Sequence, residues 1–156
     1  MKDVGVIFEI PNEYGNYLSE ILEPLPVNLY DWVIDNDEIH LVDNHEFSNK
    51  FLFNENGVIS GEKLYETAKN NTYYMVFVTL KGFLKDGHIK DISTYEEFLE
   101  SDCQIILGVY DCSQIMFWCK DSDLISTMYV YAQSKGYENI EYINEKEVIE
   151  GKYGIE

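Results

Sequence analysis

The spacing of apolar residues near the N-terminus predicts a strand followed by a helix. Residues 4–10 are mostly apolar and predict a strand, which Pro11-Asn12 closes. Five apolar side chains then recur at helical spacing, namely Tyr14, Tyr17, Leu18, Ile21 and Leu22. Asn12 is placed to cap this helix, and Pro24 ends it at Glu23. We expect Tyr14 and Tyr17 to lie in the core.

The middle of the chain alternates short apolar and polar stretches that predict a hairpin. Residues 29–34 and 39–42 have the composition of strands, and the polar residues 35–38 between them predict a four-residue loop. Residues 51–53 predict a further short strand. Asn56-Gly57 then predicts a turn, because this pair favours tight turns between strands.

The elements that follow are predicted from capping residues and longer apolar runs. Ser60 is expected to cap a short helix, and residues 73–80 predict a central strand because they are nearly all apolar and β-favouring. Thr94 and Glu97 have the spacing of a capping box at the start of another helix.

The C-terminal part predicts two strands, a helix and a closing strand. Residues 103–110 and 115–119 predict the two strands. Asp121 or Ser122 caps the helix, Gly136 lies just after its end, and its apolar stripe is Leu124, Ile125, Met128, Tyr129 and Ala132. Residues 139–143 predict the closing strand.

The order of these elements predicts the fold class. From residue 73 onward the order is β-α-β-β-α-β, which is that of a ferredoxin-like split unit. No Pro/Gly/Ser-rich linker divides the chain. We therefore predict a single α+β domain over residues 1–156, with a mostly antiparallel sheet and helices packed on it. Residues 145–156 are expected to form an acidic tail that frays.

Charge changes the range of expected partners. The chain has 156 residues with 29 acidic residues against 11 lysines, which gives a net charge of −18, and it contains no arginine. Such a field disfavours direct binding to nucleic acid or to an anionic membrane surface. Acidic residues concentrate in residues 1–47 and 91–156, so a fold that joins both ends forms a face of one sign.

Cysteine usage and the apolar runs indicate a compartment. The three cysteines form no CxxC pair, and the longest apolar runs fall far short of the roughly 20 residues that a membrane-spanning helix needs. The first ten residues lack the apolar core of a signal peptide. We therefore expect a cytoplasmic protein with reduced thiols.

Candidate chemistry is sparse, and it predicts no catalytic residue, cofactor or metal site. Asp35, Asp37 and Glu46 stand at positions one, three and twelve of a calcium loop, but His40 occupies position six, where the loop needs glycine. Cys112 stands in a turn where a thiol can be exposed, and a Cys-His pair requires a histidine within reach. Nucleotide-binding glycine motifs do not occur.

The sequence contains thirteen tyrosines, which is an unusually high number for its length. Tyrosine supplies contact area at interfaces, and beside carboxylates it suits a basic partner. The residues that we predict to contact such a partner are Asp35, Asp37, Glu38, Tyr137, Glu138, Glu141 and Tyr142.

Three stretches resemble a family of unknown function from Bacillus-type Gram-positive bacteria. The resemblance covers most of the chain in matching order, and its stretches are Phe8-Glu9-Ile10-Pro11-Asn12-Glu13-Tyr14-Gly15, Gly61-Glu62-Lys63-Leu64 and Tyr73-Tyr74-Met75-Val76-Phe77-Val78. The resemblance implies a cytoplasmic bacterial protein of this size and transfers no catalytic residues.

The hypothesis that these observations favour is an acidic interaction or regulatory module that binds a basic protein. Its sharpest version is an immunity-type protein that neutralises a cationic toxin such as a nuclease. The alternative is a small enzyme or small-ligand-binding protein whose pocket is assembled from distant residues. A histidine beside Cys112, or a concave apolar pocket with converging polar groups, distinguishes the alternative.

Overall fold

Eight strands and five helices follow one another in a computed structural model that describes residues 2–54 and 57–151, with Asn36 described by its backbone alone. The strands are β1 Asp3–Glu9, β2 Tyr30–Asp43, β3 Glu46–Phe51, β4 Gly57–Ser60, β5 Tyr73–Leu84, β6 Cys103–Tyr110, β7 Gln114–Cys119 and β8 Glu138–Asn144. The helices are α1 Tyr17–Leu22, α2 Gly61–Lys69, α3 Tyr95–Glu100, α4 Ser122–Ser134 and α5 Glu145–Ile149, and Val27–Leu29 form a 3₁₀ turn.

The strands form one sheet whose described pairings are all antiparallel, which confirms the α+β prediction. Their order is β3-β2-β5-β6-β7-β1-β8, and β4 pairs with β2 as well. Along one edge of β2, residues 31–34 pair with β4 and residues 40–43 with β3. β1 lies between β7 and β8, so the first strand joins the last two strands of the chain.

The two faces of the sheet are covered differently. Helices α1, α2 and α4 pack on one face over the larger core, which includes Trp32, Leu80 and Phe117. Helices α3 and α5 pack on the other face over a smaller cluster, which includes Phe83 and Trp118. In the described part of the chain this smaller cluster draws its buried strand residues from β1 and β5–β8 and none from β2 or β3.

The predicted hairpin over residues 29–42 is wrong, because β2 runs without interruption through residues 35–38. β5 pairs with β2 from Tyr30 to Leu41, and bulges around Glu38 absorb the polar residues within the strand. The actual hairpin joins β2 to β3. Asn44 and His45 close it with φ values of 51° and 63°, the left-handed backbone of a two-residue type I′ turn.

Helix α1 begins at Tyr17, later than the pattern predicts. Gly15 forms an isolated bridge with Tyr73, in which each backbone N–H donates to the other residue's carbonyl, at 3.1 and 2.9 Å. This pairing holds the chain extended before the helix. As a result Tyr14 is 45% exposed and does not join the core as predicted.

The C-terminal elements lie as predicted. Asp121 caps α4 by accepting from the N–H groups of Asp123 and Leu124, and Gly136 follows the helix with φ 75°. Ser60 and Thr94 cap α2 and α3. The β-α-β-β-α-β succession is present, but β5 and β6 are direct neighbours, whereas a ferredoxin-like unit places another strand between its first two.

Two predicted features lie partly beyond the described residues. Asn56, in the predicted Asn56-Gly57 turn, is outside them, as are residues 152–156 of the predicted acidic tail. Within that tail, residues 145–149 form α5, which begins with a capping box between Asn144 and Glu147. No helix within the described ranges combines the length and apolar character that crossing a membrane requires.

Candidate functional site

Five side chains with ring systems meet at the β2–β3 end of the sheet. We call Tyr14, His40, Phe47, Phe51 and Tyr74 the aromatic patch. Because Ile39 and Tyr73 are buried in the larger core, their strand neighbours His40 and Tyr74 point to the opposite face. The aromatic patch thus lies on the sheet face that α3 and α5 cover elsewhere.

His40 is the centre of the aromatic patch. Its ring centroid lies 4.2 Å from that of Phe47 and 4.9 Å from that of Phe51, and its side chain is 11% exposed. Nδ1 lies 3.0 Å from the carbonyl oxygen of Ser48, and Nε2 lies 3.1 Å from a carboxylate oxygen of Glu38. His40 therefore ties β3 to β2, and both ring nitrogens are engaged within the aromatic patch.

Tyr74 extends the aromatic patch towards the N-terminal segment. Its ring makes edge contacts with Tyr14 and Phe47, with centroids 6.0 and 6.1 Å apart. Its hydroxyl donates to the side-chain oxygen of Asn12 at 2.5 Å. A hydrogen bond with the Cys112 side chain, followed by burial, raises the pKa of Tyr74. Tyr74 thus links strand β5 to the turn that contains Cys112.

The candidate nucleophile Cys112 contacts a phenol. It is half-buried in the turn between β6 and β7, where Asp111 and Cys112 have φ values of 48° and 69°. Its backbone N–H donates to the carbonyl of Val76, which fixes the turn against β5. Of the histidines, His40 bonds Glu38 and Ser48, and His45 and His88 are exposed.

A carboxylate contacts the aromatic patch. Glu38 bonds His40 directly, whereas the Glu13 carboxylate accepts from the hydroxyl of Tyr17, and Asp43 and Glu46 pair in register at the β2–β3 turn. Burial raises the pKa of the Asp37 carboxyl in the same stretch of β2. Lys50 pairs with Asp43 at 3.9 Å. Among these carboxylates, Glu38 is the one that contacts a ring of the aromatic patch.

The predicted partner-binding residues fall into two groups on different strands. Asp35, Asp37 and Glu38 lie on β2, and Asp35 pairs with the buried amine of Lys81 at 3.0 Å. Tyr137, Glu138, Glu141 and Tyr142 lie at or on β8, at the opposite edge of the sheet. Five strand spacings separate the groups, roughly 24 Å. The structure brings Glu38, through its contact with His40, but no residue of the β8 group, to the aromatic patch.

The tyrosines of the β8 group are engaged with other rings. Tyr137 stacks on Phe8 with centroids 5.4 Å apart, and its hydroxyl donates to Glu20 at 3.0 Å. Burial, then the charge of Glu20, raises the pKa of Tyr137. Tyr142 stacks on Tyr129 with centroids 4.2 Å apart. The exposed side chains of the β8 group are therefore Glu138, Glu141 and Tyr142, and Tyr142 is paired with Tyr129.

A shallow cleft of about 340 Å³ lies between α1, the 3₁₀ turn and α2. Its apolar wall is formed by Leu22, Leu25 and Val27, and its polar lining includes Glu23, Glu62 and Glu66. No histidine or cysteine of the described chain lines it. The buried thiols lie elsewhere, and burial raises the pKa of Cys103 to about 12 and that of Cys119 to about 11.

The aromatic patch was not predicted from the sequence. The sequence predicts Tyr14 in the core and gives no role to Phe47. The proximity of these two residues to Tyr74 depends on the β2–β3 hairpin and on the Gly15–Tyr73 bridge, which local patterns do not reveal. The residues Asp43-Asn44-His45-Glu46 were the available signal for that hairpin. Within the described residues, no three His, Cys, Asp or Glu side chains group as metal ligands do.

Comparison with known proteins gives a family match. Residues 3–153 match the family described as "Protein of unknown function (DUF2691)". An uncharacterised protein, YncE, of Bacillus subtilis (strain 168) is 34% identical over 142 residues, which cover 91% of this chain and 92% of that protein. No solved structure gives a significant match. The resemblance seen in the sequence to an uncharacterised family of Bacillus-type bacteria is confirmed.

Proposed function

The chain belongs to the DUF2691 family of proteins of unknown function, and we propose that it acts as a cytoplasmic, acidic interaction module whose aromatic patch binds a basic protein partner. The observation that carries the proposal is the exposure of rings in mutual contact. Tyr14 is 45% exposed, Phe47 47% and Phe51 42%. Clustered exposed aromatic residues are typical of protein interfaces, because they bury much area at small entropic cost.

The charge of the chain supports a basic partner. A net charge of −18 attracts cationic proteins and speeds their encounter, and the carboxylate of Glu38 lies in contact with the aromatic patch. The rings then supply short-range contact area. In its sharpest form, the proposal is that the protein neutralises a cationic toxin as an immunity-type protein does.

The alternative of small-ligand binding rests on the cleft between α1 and α2. Its volume of about 340 Å³ is at the small end of ligand sites, and its mixture of apolar and carboxylate lining suits a cationic small molecule. A thermal-shift screen of aliphatic amines and neutral metabolites tests it. A saturable rise in Tm that Glu62→Gln abolishes supports this alternative, and a flat response opposes it.

Affinity capture with matched variants tests the interaction module. Tagged wild-type protein, the double variant Phe47→Ser/Phe51→Ser and the control Val130→Ser are incubated with Bacillus lysate at low and high salt. Val130 is 61% exposed on α4, away from the aromatic patch, so it controls for loss of an exposed apolar side chain.

We expect wild type and Val130→Ser to retain the same basic protein at low salt, and the double variant to lose it. Circular dichroism confirms that all three proteins are folded. High salt should release the partner, because charge attraction is screened. Equal retention by all three proteins at low salt contradicts the role of the aromatic patch, and the absence of any basic protein contradicts the module itself.

A further inference from the structure

We propose that the aromatic patch recognises its partner by receiving an arginine side chain between the rings of Tyr14, Tyr74 and Phe47. This inference rests on the proposed function and names the group that the site recognises. The three rings, called here the ring corner, form the half of the aromatic patch that lies away from Phe51. The occupant comes from the partner, because this chain contains no arginine.

In the ring corner, two exposed rings stand at steep angles to the ring of Tyr74. Tyr74 is half-buried in the middle, and the planes of Tyr14 and Phe47 are inclined to it by 78° and 65°. Tyr14 and Phe47 are each nearly half exposed, at 45% and 47%. Tyr74 therefore contacts two steeply inclined, partly exposed rings, and Phe47 also lies against His40.

The electrostatics of the ring corner favour a cation over a neutral group. The face of an aromatic ring is the negative part of its quadrupole and attracts cations within about 6 Å of the centroid. The Glu38 carboxylate, which bonds His40 within the aromatic patch, and the net charge of −18 add attraction for a cation. A guanidinium can stack flat on a ring and still donate hydrogen bonds from its edge to carboxylates, which an ammonium does less well.

No cation within the described residues occupies this place. The cation–π contacts of the described chain involve Lys69, Lys120 and Lys135 with the rings of Tyr65, Phe98 and Tyr131. Lys50, on the same strand as Phe47, pairs with Asp43. The rings of Tyr14, Tyr74 and Phe47 therefore remain available to a cation from another molecule.

Titration with small probes tests the ring corner directly. The probes are N-acetylargininamide, the neutral isostere N-acetylcitrullinamide and N-acetyllysinamide, and the readout is the change in NMR shifts of aromatic ring protons. We expect saturable binding of the arginine probe with a Kd on the order of millimolar, the strength of a single side-chain contact. Citrulline should bind at least about tenfold more weakly, with lysine in between.

Variants separate the ring corner from general charge attraction. Tyr14→Leu is the main variant, because this exposed side chain is outside the core, and it should weaken the arginine probe several-fold. Tyr142→Leu, in an exposed ring pair on β8, is the matched control and should leave binding of the arginine probe unchanged.

Equal binding of arginine and citrulline, or unchanged arginine binding in Tyr14→Leu, overturns the proposal. The two proposals fail in distinguishable ways. If Phe47→Ser/Phe51→Ser loses a basic partner but the probes show no arginine preference, the proposal of an interaction module is supported and the proposal of an arginine site is contradicted. If the arginine probe binds but no basic protein is captured, the proposal of an arginine site is supported and the proposal of an interaction module is contradicted.

Discussion

At the scale of single residues, the three cysteine thiols lie in different surroundings in the fold. Cys103 and Cys119 are buried, whereas Cys112 lies in a turn and contacts Tyr74. The sequence shows three similar thiols without a CxxC pair. Their different settings follow from the register of β6 and β7, which places Cys119 opposite Ile105 in the sheet.

The buried thiols predict a loss of stability in alkali. Burial raises the pKa of Cys103 from 9.0 to about 12 and that of Cys119 from 9.0 to about 11. The unfolded chain therefore releases these protons first, so stability is intact below pH 9 and declines as pH rises towards 11–12. At pH 10 each thiol should cost about 1 kcal/mol.

Urea unfolding at pH 8 and pH 10 measures this decline. The tyrosines with raised pKa values, such as Tyr17 and Tyr95, act in the same direction. The variant Cys103→Ala isolates the thiol, and its stability should fall less between the two pH values than that of wild type. An identical fall in both proteins contradicts the assignment to Cys103.

At the scale of elements, local signals predicted best where the pairing is also local. β6, β7 and α4 follow each other closely and lie as predicted, because a short turn and a side-chain cap determine their ends. β2 was misread as a hairpin, because its continuity through residues 35–38 depends on pairing with β5, more than 30 residues away. Residues 35–38 are part of a strand because β2 pairs with the distant strand β5, which a local pattern does not indicate.

The β2–β3 turn predicts a stabilising substitution. His45 has φ 63°, a conformation that costs a non-glycine residue about 1–2 kcal/mol. His45→Gly relieves that strain and creates Asn-Gly, the preferred pair of a type I′ turn. After the entropic cost of glycine, about 0.5–1 kcal/mol, the net gain should be on the order of 0.5 kcal/mol.

Thermal unfolding checks this prediction, with His88→Gly as a matched control. His88 is an exposed loop histidine whose φ is not positive, so glycine relieves no strain there. We expect a higher Tm for His45→Gly, and an unchanged or lower Tm for His88→Gly. A lower Tm for both variants shows that the turn is not strained at His45.

At the scale of the whole molecule, the aromatic patch joins residues that the chain keeps far apart. Tyr14, Phe47 and Tyr74 come from three segments, and their contact needs the bridge before α1, the β2–β3 turn and the register of β5. The sequence predicted the fold class but not this meeting point. Pairwise distances of this kind are set by topology and are absent from local patterns.

The uncompensated charge of the whole molecule predicts that salt stabilises the folded state. Self-repulsion from a net charge of −18 opposes compaction, and raising NaCl from 50 to 500 mM screens it. A gain of about 1 kcal/mol raises the Tm of a domain this size by about 2–4 °C. Differential scanning calorimetry measures the shift.

The variant Glu138→Gln/Glu141→Gln removes two exposed charges from β8 and serves as the comparison. Its Tm should exceed that of wild type at 50 mM NaCl, and its gain with salt should be smaller. A Tm that falls with salt in wild type shows that attractive ion pairs outweigh the repulsion.

The position of β1 between β7 and β8 sets an order for folding during synthesis. The first strand leaves the ribosome early, yet both of its partners lie within residues 114–144. Both edges of β1 therefore stay without a partner strand while more than a hundred further residues are synthesised. Such long-range pairing slows folding and prolongs the exposure of unpaired strand edges. This end of the sheet is complete only when β7 and β8 have paired with β1, so a nascent chain shortened before β8 lacks one of the two partners of β1.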